Sequence, residues 1–76
     1  MTRLVPVHWK RFECVLLKSG CWFDREEGDH RIYKRDSLKR PLVIPRASDL
    51  PVFIIRNNLK TLGISRDEYL TLLQDC

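Results

Sequence analysis

Gly28 is the residue that most restricts this chain. It stands between two short runs, Cys21 to Glu26 and His30 to Lys34, the second rich in strand formers. Glu27-Gly28 between them reads as a tight hairpin turn, because glycine tolerates the positive φ that a primed turn demands. With those two residues as the loop, the partners are Glu26 with Asp29, Arg25 with His30, Asp24 with Arg31, Phe23 with Ile32 and Trp22 with Tyr33. That register places His30 on the Phe23–Ile32 face, while Trp22, Tyr33 and the Asp24–Arg31 charge pair share the other, open one. A three-residue loop shifts every partner by one.

The flanking sequence supplies what covers such a hairpin. Residues 8–19 predict a helix: Trp9, Phe12 and Leu16 recur at helical spacing, Pro6 stands before the start and Gly20 sits where a C-terminal cap belongs. Trp9 and Phe12 are read as core aromatics, and His8 lies in the first turn. Leu42-Val43-Ile44, closed by Pro45, is a third strand. Ser48-Asp49-Leu50-Pro51 predicts a helix start, followed by Val52, Ile55, Leu59 and Leu62 and a stop at Gly63. Ser65 and Glu68 form a capping box opening a last helix with Tyr69, Leu70, Leu72 and Leu73. A three-stranded antiparallel sheet can be solvated on one face and must bury the other. The expectation is therefore an α+β fold of two layers, a three-stranded antiparallel sheet packed on helices in the order α-β-β-β-α-(α), as one domain over 1–76.

Seventy-six residues support one small core and no large cavity, so chemistry has to sit on a surface or in a shallow groove. No apolar run approaches the roughly 20 residues of a bilayer crossing, and Met1-Thr2-Arg3-Leu4-Val5-Pro6 lacks a signal-peptide core; the expected location is the cytoplasm, with no membrane partner. Cys14, Cys21 and Cys76 share no metal-ligand spacing and are expected to be reduced thiols. The net charge of +4 favours a polyanionic partner. From Arg31 to Arg46 the charges are Arg31, Lys34, Arg35, Lys39, Arg40 and Arg46 against Asp36 alone. This run reads either as a solvated edge that discourages strand aggregation or as a stripe that tracks phosphates.

Leu16-Leu17-Lys18-Ser19-Gly20, then Arg25, Gly28 and His30 around the hairpin, Ile32-Tyr33, Val43-Ile44-Pro45, Leu50, Ile55-Arg56, Leu59 and Gly63-Ile64-Ser65 together resemble the HicA toxins, the ribonuclease half of bacterial type II toxin–antitoxin pairs. The resemblance spans nearly the whole chain, with Gly20 to Tyr33 its most specific piece. It implies a fold like the double-stranded-RNA-binding domain, cleavage of mRNA without metal or other cofactor, His30 as catalytic residue, and neutralisation by a HicB-type antitoxin. Two positions depart from the family: Asp29 stands where serine or threonine is usual, and Ala47 where histidine is frequent.

The chemistry asked of His30 is modest. RNA carries its own nucleophile, the 2′-hydroxyl, and an imidazole can serve as its general base near neutral pH. Arg25, Arg31, Lys34 and Arg46, with Gly28 in the turn, are the candidate phosphate contacts. Asp29, Glu26 and Glu27 act against them, repelling the scissile phosphate. No second acid is evident, so slow turnover is expected. Two other readings compete: a non-catalytic RNA-binding module, and an inactive toxin that still binds its antitoxin. Trp22 and Tyr33 are candidate partner contacts, and Arg56 is either a solvated helix charge or a contact to RNA or antitoxin.

Overall fold

The computed structural model describes residues 3–76, with α1 (Trp9–Lys18), β1 (Trp22–Glu27), β2 (His30–Lys34), β3 (Leu42–Pro45), α2 (Val52–Leu62) and α3 (Arg66–Gln74). The α-β-β-β-α-α order and the antiparallel sheet β1-β2-β3 are those expected from the sequence, consistent with a fold like the double-stranded-RNA-binding domain. The expectation about a signal peptide rests in part on Met1 and Thr2, which lie outside the described residues. Among the described residues no helix is long and apolar enough to cross a membrane.

The helix ends follow local chemistry. His8 is extended at the N-cap of α1, and its Nδ1 accepts a hydrogen bond from the Lys10 N–H at 3.1 Å. At the other end Gly20 has φ of 91°, and the N–H groups of Gly20 and Cys21 donate back to Leu17 and Leu16. This double closure satisfies carbonyls the helix leaves open and turns the chain sharply into β1. The expected capping of α2 by Ser48-Asp49 does not occur: Pro51 is the N-cap and makes no side-chain hydrogen bond. Leu50 is buried and pairs with Val7 across an antiparallel bridge, its N–H reaching the Val7 carbonyl at 2.7 Å. A residue ahead of proline is in any case driven to extended geometry, so the helix starts only at Val52. The Ser65–Glu68 capping box of α3 is present in both directions.

The hairpin register differs from the expected one. Glu27 pairs with His30, so Gly28-Asp29 form the turn, and positive φ occurs at Gly28 (59°) and not at Asp29. Glycine thus takes the first turn position, the II′ pattern, in place of the second. Arg25 then faces Ile32, and Glu26 faces Arg31, but the register shifts between Phe23 and Arg25. Past that point Phe23 pairs with Tyr33 and Trp22 with Lys34. The bulge at Asp24 re-aims the start of β1. It sets Phe23 opposite Tyr33 and Trp22 opposite Lys34, and Tyr33 belongs to the core and not, as expected, to the open face beside Trp22.

The core forms where the helices meet one sheet face. Phe12, Val15 and Leu16 of α1 pack with Tyr33, Leu42 and Ile44 of the sheet, Ile55, Leu59 and Leu62 of α2, and Tyr69 and Leu73 of α3. Each such side chain contributes about 1.5–3 kcal/mol by leaving water. Trp9 is only partly buried against this cluster. Arg35 locks the helix ends: its guanidinium donates to the Ser19 carbonyl closing α1 (3.0 Å), to the Leu62 carbonyl closing α2 (3.2 Å) and to Ser37 Oγ (2.9 Å). A cation there also complements the negative ends of both helices.

The expectation of three reduced thiols is corrected. Cys14 and Cys76 form a disulfide, with Cα atoms 5.9 Å apart and a sequence separation of 62. The packing of α1 against α3 brings the chain end back to the first helix, where the Arg11 guanidinium also donates to the Leu73 carbonyl at 3.3 Å. Cys21 is free and buried, and burial pushes its thiol up. It behaves as the small apolar side chain expected of it.

Candidate functional site

Side-chain alternation along β2 sorts the candidate residues. Arg31 and Tyr33 reach Glu13 of α1, so they face the helices. His30, Ile32 and Lys34 therefore face the opposite, open side. Their cross-strand partners share it: Glu27, Arg25 and Trp22 on β1, Pro45 and Val43 on β3. Ile32 is only 4% exposed although it lies outside the core cluster, because it sits mid-sheet under its neighbours.

His30 is exposed on the central strand, immediately after the turn. Its backbone is held from both sides, by Glu27 and by Pro45, and the Asp29 carbonyl accepts a further hydrogen bond from the Arg46 N–H at 2.8 Å. Among the described residues its ring makes no hydrogen bond or ion pair. A rigid backbone with an unengaged imidazole is the arrangement a general base on a surface requires.

The cations around it are less free. Arg25 shares the face of His30, but its guanidinium is bound to Asp24 Oδ2 at 2.6 Å and to Glu27 Oε1 at 2.9 Å. The Arg25 hydrogen bond, more than the charge of Lys34, holds the Asp24 carboxyl below the usual carboxylate range. Lys34 Nζ lies 3.5 Å from the same Asp24 oxygen. Arg46, just beyond β3, has its Nε 3.8 Å from Glu26 Oε1. Gly28 supplies the turn and nothing within 4 Å of a Cβ built on it.

Arg31 is not brought together with His30. Its guanidinium lies on the helix face, bound to Glu13 Oε2 (2.9 Å), Glu26 Oε1 (3.0 Å) and Tyr33 Oη (3.0 Å), and is 4.0 Å from the Phe23 ring centroid and 5.0 Å from that of Trp9. The Tyr33 hydroxyl donates to Glu13. Burial, reinforced by the Glu13 carboxylate, pushes the Tyr33 phenol well above its ordinary range. Glu13 is the partner that sequence reasoning missed. The signal available was its place four residues after Trp9, on the flank of α1 that looks toward the sheet.

No group of three or more His, Cys, Asp or Glu side chains among the described residues is placed to hold a metal ion. A family model described as the HicA toxin of bacterial toxin-antitoxin matches residues 9–64. The chain belongs to the HicA toxin family. Comparison with curated proteins and with solved structures gave no match. The matched stretch runs from the first residue of α1 to just past α2, and so contains the hairpin and His30. The capping box, α3 and Cys76 lie beyond it, and the disulfide ties that segment back to the matched part of this HicA toxin.

Proposed function

We propose that this HicA toxin is an endoribonuclease that cleaves mRNA, with His30 as general base. The 2′-hydroxyl gives its proton to the imidazole, the 2′-oxygen bonds to the adjacent phosphorus, and the bond to the 5′-oxygen breaks, leaving a cyclic phosphate. The departing oxygen takes its proton from water. Arg25 and Lys34, on the same face, contact the phosphate and offset charge added in the transition state, and Arg46 and the Gly28 turn border the site. Arg31 acts at one remove, bracing β2 through Glu13 and Glu26. A HicB-type antitoxin neutralises the toxin by lying on the open face, where the exposed Trp22 and Val43 flank the same strand.

The observation that carries this reading is the exposed His30 ring, without a hydrogen-bond partner among the described residues, on a doubly paired strand whose same face carries Arg25 and Lys34. The test is cleavage of labelled RNA by purified protein in the presence of a chelator. His30→Ala should lower the rate by at least about 100-fold while circular dichroism and melting stay as in the wild type; undiminished cleavage would remove the proposal. One observation favours a binding-only or inactive toxin instead. Glu27 pairs directly across from His30, and with Asp24 it occupies Arg25. That reading gives salt-sensitive retention of RNA by the wild type with no product.

A further inference from the structure

A second cationic surface lies at the other end of the sheet. The β2–β3 connection folds against the exposed side of α2, leaving a depression of about 730 Å³ lined by Ser37, Lys39, Arg40, Asn57 and Lys60 among others. It continues on one side past Lys39 and Arg40 to Lys34 and Trp22. On the other it continues past Asn57 and Lys60 to Arg56. Asp36 is the one carboxylate along these three stretches among the described residues. Lys39, Arg40, Arg56 and Lys60 make no ion pair with any described residue. Trp22, 43% exposed, stands at the mouth beside Lys34.

We infer that this groove binds the phosphodiester backbone of a single-stranded RNA, with Lys39, Arg40 and Lys60 contacting successive phosphates and Trp22 stacking on a base. The proposal rests on the ribonuclease reading for its purpose: Lys34 is four residues from His30 on the same strand and face, about 13 Å at ~3.3 Å per residue. A strand seated in the groove is thereby led along β2 to the imidazole. Unpaired cations favour a polyanion over a neutral ligand, and an exposed indole beside them favours nucleic acid over an acidic polypeptide. A base offers the π-face that stacks on such a ring, and a glutamate side chain does not.

The test reads binding alone, so it holds whether or not His30 cleaves. Fluorescence anisotropy of a labelled 20-nucleotide single-stranded RNA is measured on the full chain across a salt series. The proteins are the wild type, Lys39→Ala/Lys60→Ala, Trp22→Ala and a charge-matched control, Lys10→Ala/Lys18→Ala, on α1. The groove pair should weaken binding at least tenfold and lower the slope of log K against log salt by about 1.4, since each phosphate contact on a single strand contributes about 0.7. Trp22→Ala should weaken it about fivefold or more with the slope unchanged. The α1 control should stay within about threefold of wild type, and Lys39→Arg/Lys60→Arg should restore binding. Equal losses in the groove pair and the α1 control would overturn the assignment. So would a groove pair that keeps its RNA affinity while losing affinity for labelled poly-glutamate, which would give the groove to an acidic protein partner.

Discussion

The β1–β2 ribbon and the groove beside α2 carry comparable numbers of cationic side chains and use them in opposite ways. In the ribbon Arg25, Arg31 and Lys34, and Arg46 next to it, each lie within 4.0 Å of a carboxylate of Asp24, Glu27, Glu13 or Glu26. In the groove Lys39, Arg40, Arg56 and Lys60 have no such neighbour among the described residues. A cation shared with carboxylates is oriented, yet its distant field is largely cancelled. An unpaired one is less ordered and projects its charge over about a Debye length, ~8 Å at physiological salt. On the proposed reading the ribbon places an imidazole, and the groove attracts a phosphate chain. Net charge alone describes neither.

If this division is right, changes to the scaffold should alter stability while leaving both surfaces as they are. The largest such effect belongs to the disulfide. Replacing Cys14 by serine removes a closure across 62 residues, worth up to about 4 kcal/mol in the chain-entropy account. Denaturant unfolding should register that loss, while RNA affinity and its salt slope at a temperature where the variant is folded remain those of the wild type. A change in slope would mean that the C-terminal segment reaches one of the two surfaces.

Next in size are the two arginines that sequence charge alone groups with the phosphate contacts. Arg31→Met strands Glu13 and Glu26, and Arg35→Met leaves two helix-end carbonyls without their donor. Each should cost about 1.5–3 kcal/mol, the range for hydrogen bonds to charged groups. RNA affinity should fall less than threefold in both, the reverse of Lys39→Ala/Lys60→Ala. An Arg31→Met protein of normal stability and poor RNA binding would place Arg31 among the phosphate contacts after all.

How much of this is legible in the sequence follows the range of the interactions. Helical spacing in Trp9, Phe12 and Leu16, the glycine after α1 and the Ser65–Glu68 pair are local signals, and they locate the helices. The hairpin is also local, but its register depends on whether Gly28 is the first or second turn residue, and the bulge at Asp24 then sets Phe23, in place of Trp22, opposite Tyr33. Neither is written in residue types alone. His30 and Arg25 could be named because they flank the turn, yet the faces they occupy follow from that register. Least legible are the long-range partners: Glu13 for Arg31, Cys76 for Cys14, and Lys60 for Lys39, which meet only when α1, α3 and α2 pack. The stripe from Arg31 to Arg46 reads as one feature in sequence and is divided in space, with Arg31 in the helix-facing network, Lys34 and Arg46 paired to the ribbon's Asp24 and Glu26, Arg35 at the helix ends and Lys39 and Arg40 in the groove.

The smallest effect tests the ribbon directly. Asp24→Asn/Glu27→Gln frees Arg25 without touching His30. Both carboxylates are surface groups, so stability should stay close to that of the wild type. RNA affinity should rise by several-fold and its salt slope steepen by about 0.7, one added phosphate contact. Acid should have the same effect on the wild type by titration. Because Arg25 holds the Asp24 carboxyl low, the ion pair is complete above the ordinary carboxylate range and is lost only as pH falls through that lowered value. Its modest stabilising contribution disappears in the same window. RNA affinity at constant salt should therefore climb on acidification in the wild type and stay flatter in the double variant. If the two pH profiles coincide, the carboxylates do not restrain Arg25, and the contrast between an occupied ribbon and an open groove no longer holds.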